Sequence, residues 1–448
     1  MGSARTASAR RYNAGVQRAA RRLPAVLGVT FGLAVTIGNI IGVGILRAPG
    51  EIAARLPNFW PYLAVWVIGG AYALLGANSL AELGAMTARS GGQYVFVRRA
   101  LGDYAGFVVG WSDWISTCGT TAAVAIVIGE YSIVLLPSLR GIEIVALGGI
   151  AILTVVQWFG TKPGAVAQDL TSVLKTVVLL LLVVACFVAG ARNPAHASLS
   201  TDVEGSIFVA FIIALQAVIY TYDGWTAILY FGEEVKNPGR DVPRSMFGGL
   251  LMVIAIYLLI NVAFLSVLPL GSIAGEKLAA ATVSRHIFGP YGDTIVRSIL
   301  VIAMISALNS NVLMAPRVIF AMAKDKLFWR HAAEVNGGGT PDVALLISSA
   351  LAVIFIVTQT FEQVIAKLAF FFVANYTLSF AAVFALRRRE PDAPRPFRAF
   401  GHPFTTGIAL LASLVFLGGA IASDPHNSLW AVGLLVVSLP IYLLVRRR

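Results

Sequence analysis

Residues 36–45, Thr-Ile-Gly-Asn-Ile-Ile-Gly-Val-Gly-Ile, are the stretch that decides the fold. They lie inside an apolar run from residue 26 to 46, which is the length of a helix that crosses a bilayer. Gly42 and Gly44 each cost a helix about 1 kcal/mol relative to alanine. A helix unwinds at membrane depth only where it lines a cavity or is buried in protein. The stretch therefore predicts a transmembrane helix that is broken halfway.

A second interruption lies at residues 220–225, Tyr-Thr-Tyr-Asp-Gly-Trp, inside the sixth apolar run. Interrupted helices at corresponding positions of two halves point to a transporter site built from an inverted repeat. Close helix packing through Gly38 and Gly42 is the alternative. An acid at the bilayer centre costs at least about 2.5 to 3.5 kcal/mol, so it is seldom kept without a partner or a role. Asp223 therefore favours a site.

Composition supports a membrane protein. Of the 448 residues 58% are hydrophobic and 12% are charged, about half the charge of a soluble domain. The net charge of +12 comes from short basic clusters between apolar runs, which favours lipid headgroups over nucleic acid as partners. We predict an all-α polytopic membrane protein with a lipid bilayer as its surroundings.

Twelve apolar runs predict twelve spans. They cover residues 26–46, 59–81, 104–136, 143–159, 166–189, 207–231, 245–268, 293–322, 342–359, 365–386, 404–422 and 428–445. With the N-terminus inside, 25 of the 34 Lys and Arg residues fall on the inner side and seven on the outer side. The positive-inside rule therefore predicts that both termini are cytoplasmic and that the protein lies in the plasma or inner membrane.

Four regions follow from this count. Residues 1–22 form a basic cytoplasmic arm, for which an organelle presequence is the alternative. Residues 23–190 hold the first five helices and residues 191–390 the second five. Residues 391–448 hold two further helices and a short cytoplasmic end.

The two breaks predict the chemistry of the ligand. An unwound segment exposes amide groups at the start of one half-helix and carbonyls at the end of the other. An α-amino acid carries a carboxylate and an ammonium one carbon apart, and it matches both ends. The candidate substrate-binding residues are Ile41, Gly42, Val43, Gly44, Ile45, Tyr220, Tyr222, Asp223 and Gly224. Asp223 binds the α-ammonium or a second ammonium of a cationic amino acid, or it caps the unwound helix or pairs with Tyr or Trp.

At these residues the sequence resembles the amino acid–polyamine–organocation superfamily, in particular the L-type amino acid transporter-like permeases. The resemblance extends over nearly the whole chain. The stretches that carry it are 42–45 with Pro49, 81–84, 89–94, 106–111, 222–225, 233–238 with Pro243, and 395–398. It implies a LeuT-like fold of two five-helix inverted repeats plus two C-terminal helices, working by alternating access. Members of the eukaryotic branch have a serine where this sequence has Val43. Without the serine hydroxyl, backbone N–H groups are the only donors at this position.

The resemblance also assigns gate residues and excludes one partner. Tyr220 falls where the family often places the aromatic residue that closes over substrate from outside. Arg47 forms an ion pair with Glu51 at the outer gate or extends to the headgroups. Members that are linked to a heavy chain use a cysteine between the third and fourth helices. Residues 135–143 have none, so no covalent heavy-chain partner is expected.

Lys175 lies about nine residues into the fifth span, which is too deep for its ammonium to reach the headgroups easily. In the functional interpretation its ammonium occupies the space that sodium fills in sodium-coupled relatives, and release of its proton links transport to pH. In the structural interpretation carbonyls of the broken first helix cap it. Ser306 and Asn309 are predicted to lie opposite it.

No set of a nucleophile, a base and metal ligands converges in the sequence, so we expect no enzyme, no cofactor and no metal site. We predict a secondary transporter for neutral L-amino acids that is coupled to protons. The alternatives are an obligatory exchanger, which can include cationic substrates, and a non-transporting amino-acid sensor.

Overall fold

The computed structural model describes residues 23–139, 141–192, 207–358, 361–423 and 425–446, and within them the regular structure is helical. We number the helices in chain order: α1 Val29–Ile40, α2 Gly44–Arg55, α3 Phe59–Met86, α4 Gln93–Leu101, α5 Asp103–Leu135, α6 Ile142–Trp158, α7 Thr161–Arg192, α8 Ile207–Thr221, α9 Pro238–Val267, α10 Leu270–Ile273, α11 Ala279–Phe288, α12 Gly292–Lys324, α13 Asp342–Thr358, α14 Phe361–Arg389, α15 Phe404–Ser423 and α16 Pro425–Arg446.

Helix length and hydropathy are those of a membrane protein. Among the described residues six helices can cross a bilayer, and seven if α1 and α2 form one bent span. Five shorter apolar helices lie where the other predicted spans are. Large apolar side chains of α7 such as Leu170 and Leu181 are 67% and 62% exposed, as expected for a surface that faces lipid. The all-α fold is confirmed, and the count of twelve stays a prediction.

The predicted break in the first span is confirmed. Helix α1 ends at Ile40 and α2 begins at Gly44, and the two axes differ by 44°. Helix α2 continues to Arg55, so the span extends nine residues beyond its predicted end. The basic arm 1–22 lies outside the described residues.

The sixth span is also broken. Helix α8 ends at Thr221, and turns lead to a short 3-10 helix at Ala227–Tyr230. Gly224 has a φ of 109°, a conformation that glycine adopts without strain. A Cβ atom there would lie 2.7 Å from the side chain of Asn39. Any other residue at 224 would therefore be strained by the positive φ and would press on Asn39 of the first break.

Three acidic residues hold together the end of the bundle where α3 ends and α4 lies. Glu82 pairs with Arg387 and Arg395. Asp325 pairs with Arg89 at 2.9 Å and with Arg98 at 2.8 Å. Glu234 pairs with Arg317, and the backbone around it bridges to Leu27 just before α1. These contacts join α3, α4, α12, α14 and the segment before α1 at the end of the bundle where α3 ends.

Candidate functional site

A cavity of about 170 Å³ lies between the two broken helices. Residues of both breaks line it, together with side chains from α5, α12 and α14. This volume is below the 300 to 1,000 Å³ of sites for drug-sized ligands. The cavity therefore suits a ligand of few heavy atoms.

The first break presents free amide groups. Among the described residues no acceptor is recorded for the backbone N–H groups of Gly42, Val43, Gly44 and Ile45. They belong to the start of α2, where the helix dipole is positive. Unpaired amides at a helix N-terminus form an anion site, so this end of the cavity suits a carboxylate.

The carbonyl end of the first break is capped from other helices. Lys175 on α7 donates to Gly38 O at 2.7 Å and to Ile41 O at 2.6 Å. Tyr257 on α9 donates to Ile40 O at 3.0 Å and lies 3.1 Å from Thr221 O at the second break. One hydroxyl therefore contacts both broken helices.

The second break places a carboxylate in the cavity. Asp223 accepts a hydrogen bond from the hydroxyl of Tyr376 on α14 at 2.5 Å. The ring of Tyr376 in turn stacks on Trp225 at 5.1 Å. Asn39 on α1 donates to Gly224 O at 3.3 Å, which ties the first break to the second.

Six of the nine predicted substrate-binding residues line the cavity: Gly42, Val43, Gly44, Tyr220, Asp223 and Gly224. The side chains of Ile41, Ile45 and Tyr222 do not. Both isoleucines are fully buried in the core, and the ring of Tyr222 packs against Trp66 and Tyr257. Successive residues of a turn point in different directions, and these three side chains point away from the cavity. The prediction uses the backbone groups of the two breaks, and the assignment of these three residues to the substrate stays a prediction.

Lys175 is 1% exposed and reaches the carbonyls of the first break, which is the cap foreseen in the structural interpretation. Ser306 and Asn309 were expected opposite it. The hydroxyl of Ser306 lies 2.9 Å from that of Ser172, one helical turn before Lys175. Asn309 accepts from Gln157 on α6 and donates to Gln168, which lies nearer the start of α7.

The predicted gate residues occupy different surroundings. Tyr220 lines the cavity and is 44% exposed. Arg47 donates to the hydroxyl of Tyr131 at 2.6 Å, and the recorded ion pair of Glu51 is with Arg55 at 3.5 Å. Arg47 therefore contacts α5, and its predicted pairing with Glu51 stays a prediction.

Sequence analysis missed Asp113 and Asn375. Asp113 on α5 is 3% exposed and accepts a hydrogen bond from Tyr230 at 2.7 Å, and Asn375 on α14 is 2% exposed. Both line the cavity. The signal for Asp113 was available, because it is an acid inside an apolar run, as Asp223 is. The direction of Asn375 depends on how α14 is rotated, which its sequence does not fix.

Comparison with known proteins identifies the family. The family model described as amino acid permease matches residues 29–439. The chain belongs to the amino acid permease family. This permease is 30% identical over 433 residues to the serine/threonine exchanger SteT of Bacillus subtilis, covering 94% of the chain and 97% of SteT. It is 24% identical over 402 residues to the human b(0,+)-type amino acid transporter 1, covering 87% of the chain and 81% of that protein.

A third relative is the human large neutral amino acids transporter small subunit 2, at 24% identity over 431 residues, with 93% of the permease and 80% of the relative covered. The predicted resemblance is thus confirmed. The protein is a multi-pass membrane amino acid transporter rather than an enzyme.

Proposed function

We propose that this permease is a sodium-independent exchanger of neutral L-amino acids that works by alternating access. The observation that carries the proposal is the pair of broken helices, which presents unpaired amides and a carboxylate to one small cavity. The substrate carboxylate binds the amides of Gly42 to Ile45. Its ammonium binds the carbonyls of residues 220–223 and Asp223.

Lys175 supports independence from sodium. Its ammonium donates to Gly38 O and Ile41 O, two carbonyl oxygens of the kind that a sodium ion would coordinate. A fixed positive charge at this point repels a second cation. The ammonium of Lys175 thus takes the place of a bound sodium ion at the broken helix.

Exchange is favoured over the other modes by the relative SteT, whose name describes a serine/threonine exchanger and which matches nearly the full chain. Proton-coupled uptake is the second candidate. It is supported by the complete burial of Lys175, since a desolvated ammonium is the kind of group that exchanges a proton during transport. In either mode Tyr220 and Arg47 act as gates on the outer side.

The proposal includes the setting of the protein. The permease lies in the plasma or inner membrane with both termini in the cytoplasm, as the distribution of Lys and Arg predicts. It works without a covalently attached heavy chain, because the loop between its third and fourth spans holds no cysteine.

Uptake into liposomes tests the mode of transport. Purified permease is reconstituted, and uptake of labelled alanine is measured with and without internal alanine, with sodium or choline outside, and with or without an inward proton gradient. Exchange requires internal alanine and ignores sodium and the proton gradient. Uptake into empty liposomes that needs a proton gradient would establish the second candidate instead. Absence of any uptake would contradict both.

Lys175→Ala tests the role of the ammonium. The variant leaves two buried carbonyls without a donor, each at a cost of about 1 to 3 kcal/mol. We therefore expect exchange to fall at least tenfold. Lys277→Ala removes an exposed lysine and serves as the matched control. Unchanged exchange in Lys175→Ala would contradict the assigned role.

A further inference from the structure

The cavity has a polar wall that the binding of an α-amino and an α-carboxyl group does not use. Asp113 and Asn375 belong to this wall. It lies on α5 and α14, whereas the groups proposed to hold the substrate backbone lie on the two broken helices. A ligand bound at the breaks therefore has α5, α12 and α14 around its side chain.

Each of these two residues has one atom without a hydrogen-bond partner in the part of the chain that the structure describes. Oδ1 of Asp113 accepts from Tyr230, and its Oδ2 is buried and unpaired. Oδ1 of Asn375 faces the hydroxyl of Ser112 at 2.8 Å, and its Nδ2 is buried and unpaired. Burial of an unpaired polar atom costs roughly 1 to 3 kcal/mol. The free protein thus keeps one acceptor and one donor unsatisfied on two residues that line its cavity.

Their neighbours hold both side chains in place. Ser112, which contacts Asn375, directly precedes Asp113 on α5, so the two helices meet at this level. One turn farther along α14, Ser379 donates to Gln93 on α4 at 2.7 Å. Tyr230 therefore holds the carboxylate of Asp113, and Ser112 holds the amide of Asn375.

We propose that Asp113 and Asn375 form a side-chain subsite that selects amino acids bearing a hydroxyl or a carboxamide. Such a side chain donates to Oδ2 of Asp113 and accepts from Nδ2 of Asn375, which satisfies both atoms. An aliphatic side chain satisfies neither. A lysine ammonium donates but does not accept, and it leaves Asn375 unpaired. The subsite rests on the proposed function and narrows its substrate class.

Sites that hydrogen-bond a substrate group discriminate strongly against the isostere without it. Threonine and valine have nearly the same shape and differ by one hydroxyl. We expect threonine to compete with labelled alanine at least tenfold better than valine during exchange. Glutamine is expected to compete well too, and lysine poorly.

Two variants remove the partners separately. Asp113→Asn replaces the acceptor by an amide of the same shape, and Asn375→Leu removes the donor. Each is expected to reduce the preference for threonine over valine about tenfold or more, because one bond to the hydroxyl is lost. The control Asp392→Asn changes an exposed loop residue and leaves both the rate and the preference as they are.

The outcomes separate the subsite from the proposed function. Wild-type protein that exchanges neither alanine nor threonine contradicts the proposed function. Wild-type protein that exchanges alanine but accepts valine as well as threonine overturns the subsite alone. The same holds if Asp113→Asn keeps the full preference, or if lysine competes best.

Wild-type protein provides a readout that is independent of variant folding. A ligand that binds the native state raises the melting temperature, and threonine is expected to raise it more than valine at equal concentration. Equal shifts would overturn the subsite.

Discussion

The ion pair between Glu234 and Arg317 is predicted to be strongly stabilising against removal of either partner. Its two contacts measure 2.5 and 2.7 Å, and the side chains are 0% and 3% exposed. The guanidinium also lies 4.4 Å from the ring centre of Phe231. Breaking a buried pair by removing one partner costs about 3 to 5 kcal/mol, because the other charge remains buried.

Glu234→Gln leaves the guanidinium without its counter-ion, and Arg317→Met leaves the carboxylate with only the hydroxyl of Thr161 at 3.0 Å. Each single variant should therefore lower the free energy of unfolding by about 3 to 5 kcal/mol. The double variant buries no charge, so it should cost clearly less than the sum of the two.

Unfolding in mixed micelles, followed by tryptophan fluorescence, gives the four free energies of a double-mutant cycle. The neighbouring pair of Lys324 and Glu233 is the control. It spans 2.9 Å, but its lysine is 37% exposed, so Lys324→Met should cost no more than about 1 kcal/mol. Single-variant losses as small as this control, or a double variant that costs the full sum, would refute the reasoning.

Two further predictions concern packing and pH. Gly38→Ala would press a methyl group against Gln168, Ser172 and Ser306 and should destabilise by about 1 to 3 kcal/mol, whereas Gly148→Ala meets open space and should be neutral or stabilising in the same unfolding assay. Arg99 donates to Glu390 and holds the pKa of that carboxyl below its ordinary 4.5. The pair therefore stabilises fully at neutral pH, and its contribution declines below pH 4.5 and is lost as the pH falls through the lowered pKa of Glu390. Glu390→Gln should flatten the acid side of a melting-temperature profile, and an unchanged profile would contradict this role.

The main features of the fold could be predicted from the sequence because they are local. Glycines at 42, 44 and 224 and the acid at 223 mark the two breaks, and apolar runs mark the helices. The position of Lys175 at the first break followed from its depth in the span. Each of these depends on the neighbours of a residue in the chain.

Other features of the site depend on contacts between distant helices. Sequence spacing suggested Glu51 as a partner of Arg47 and gave no sign of the tyrosine 84 residues away that accepts hydrogen bonds from Arg47. The ring of Tyr222 lies in the core because the turn at the second break rotates it toward α3 and α9. The subsite of Asp113 and Asn375 likewise exists only because α5 and α14 meet at one level.

The hydroxyl of Tyr257 has a consequence for how the two halves respond to a ligand. It has one hydrogen and two carbonyl neighbours, Ile40 O and Thr221 O. No other donor to either oxygen is found in the part of the chain that the structure describes. Rotation of the hydroxyl about its C–O bond can therefore move the hydrogen bond from one half of the protein to the other. An arriving ammonium that takes either oxygen fixes the hydrogen on the other. Binding of a ligand in the cavity thereby changes the hydrogen bonding of both broken helices at once.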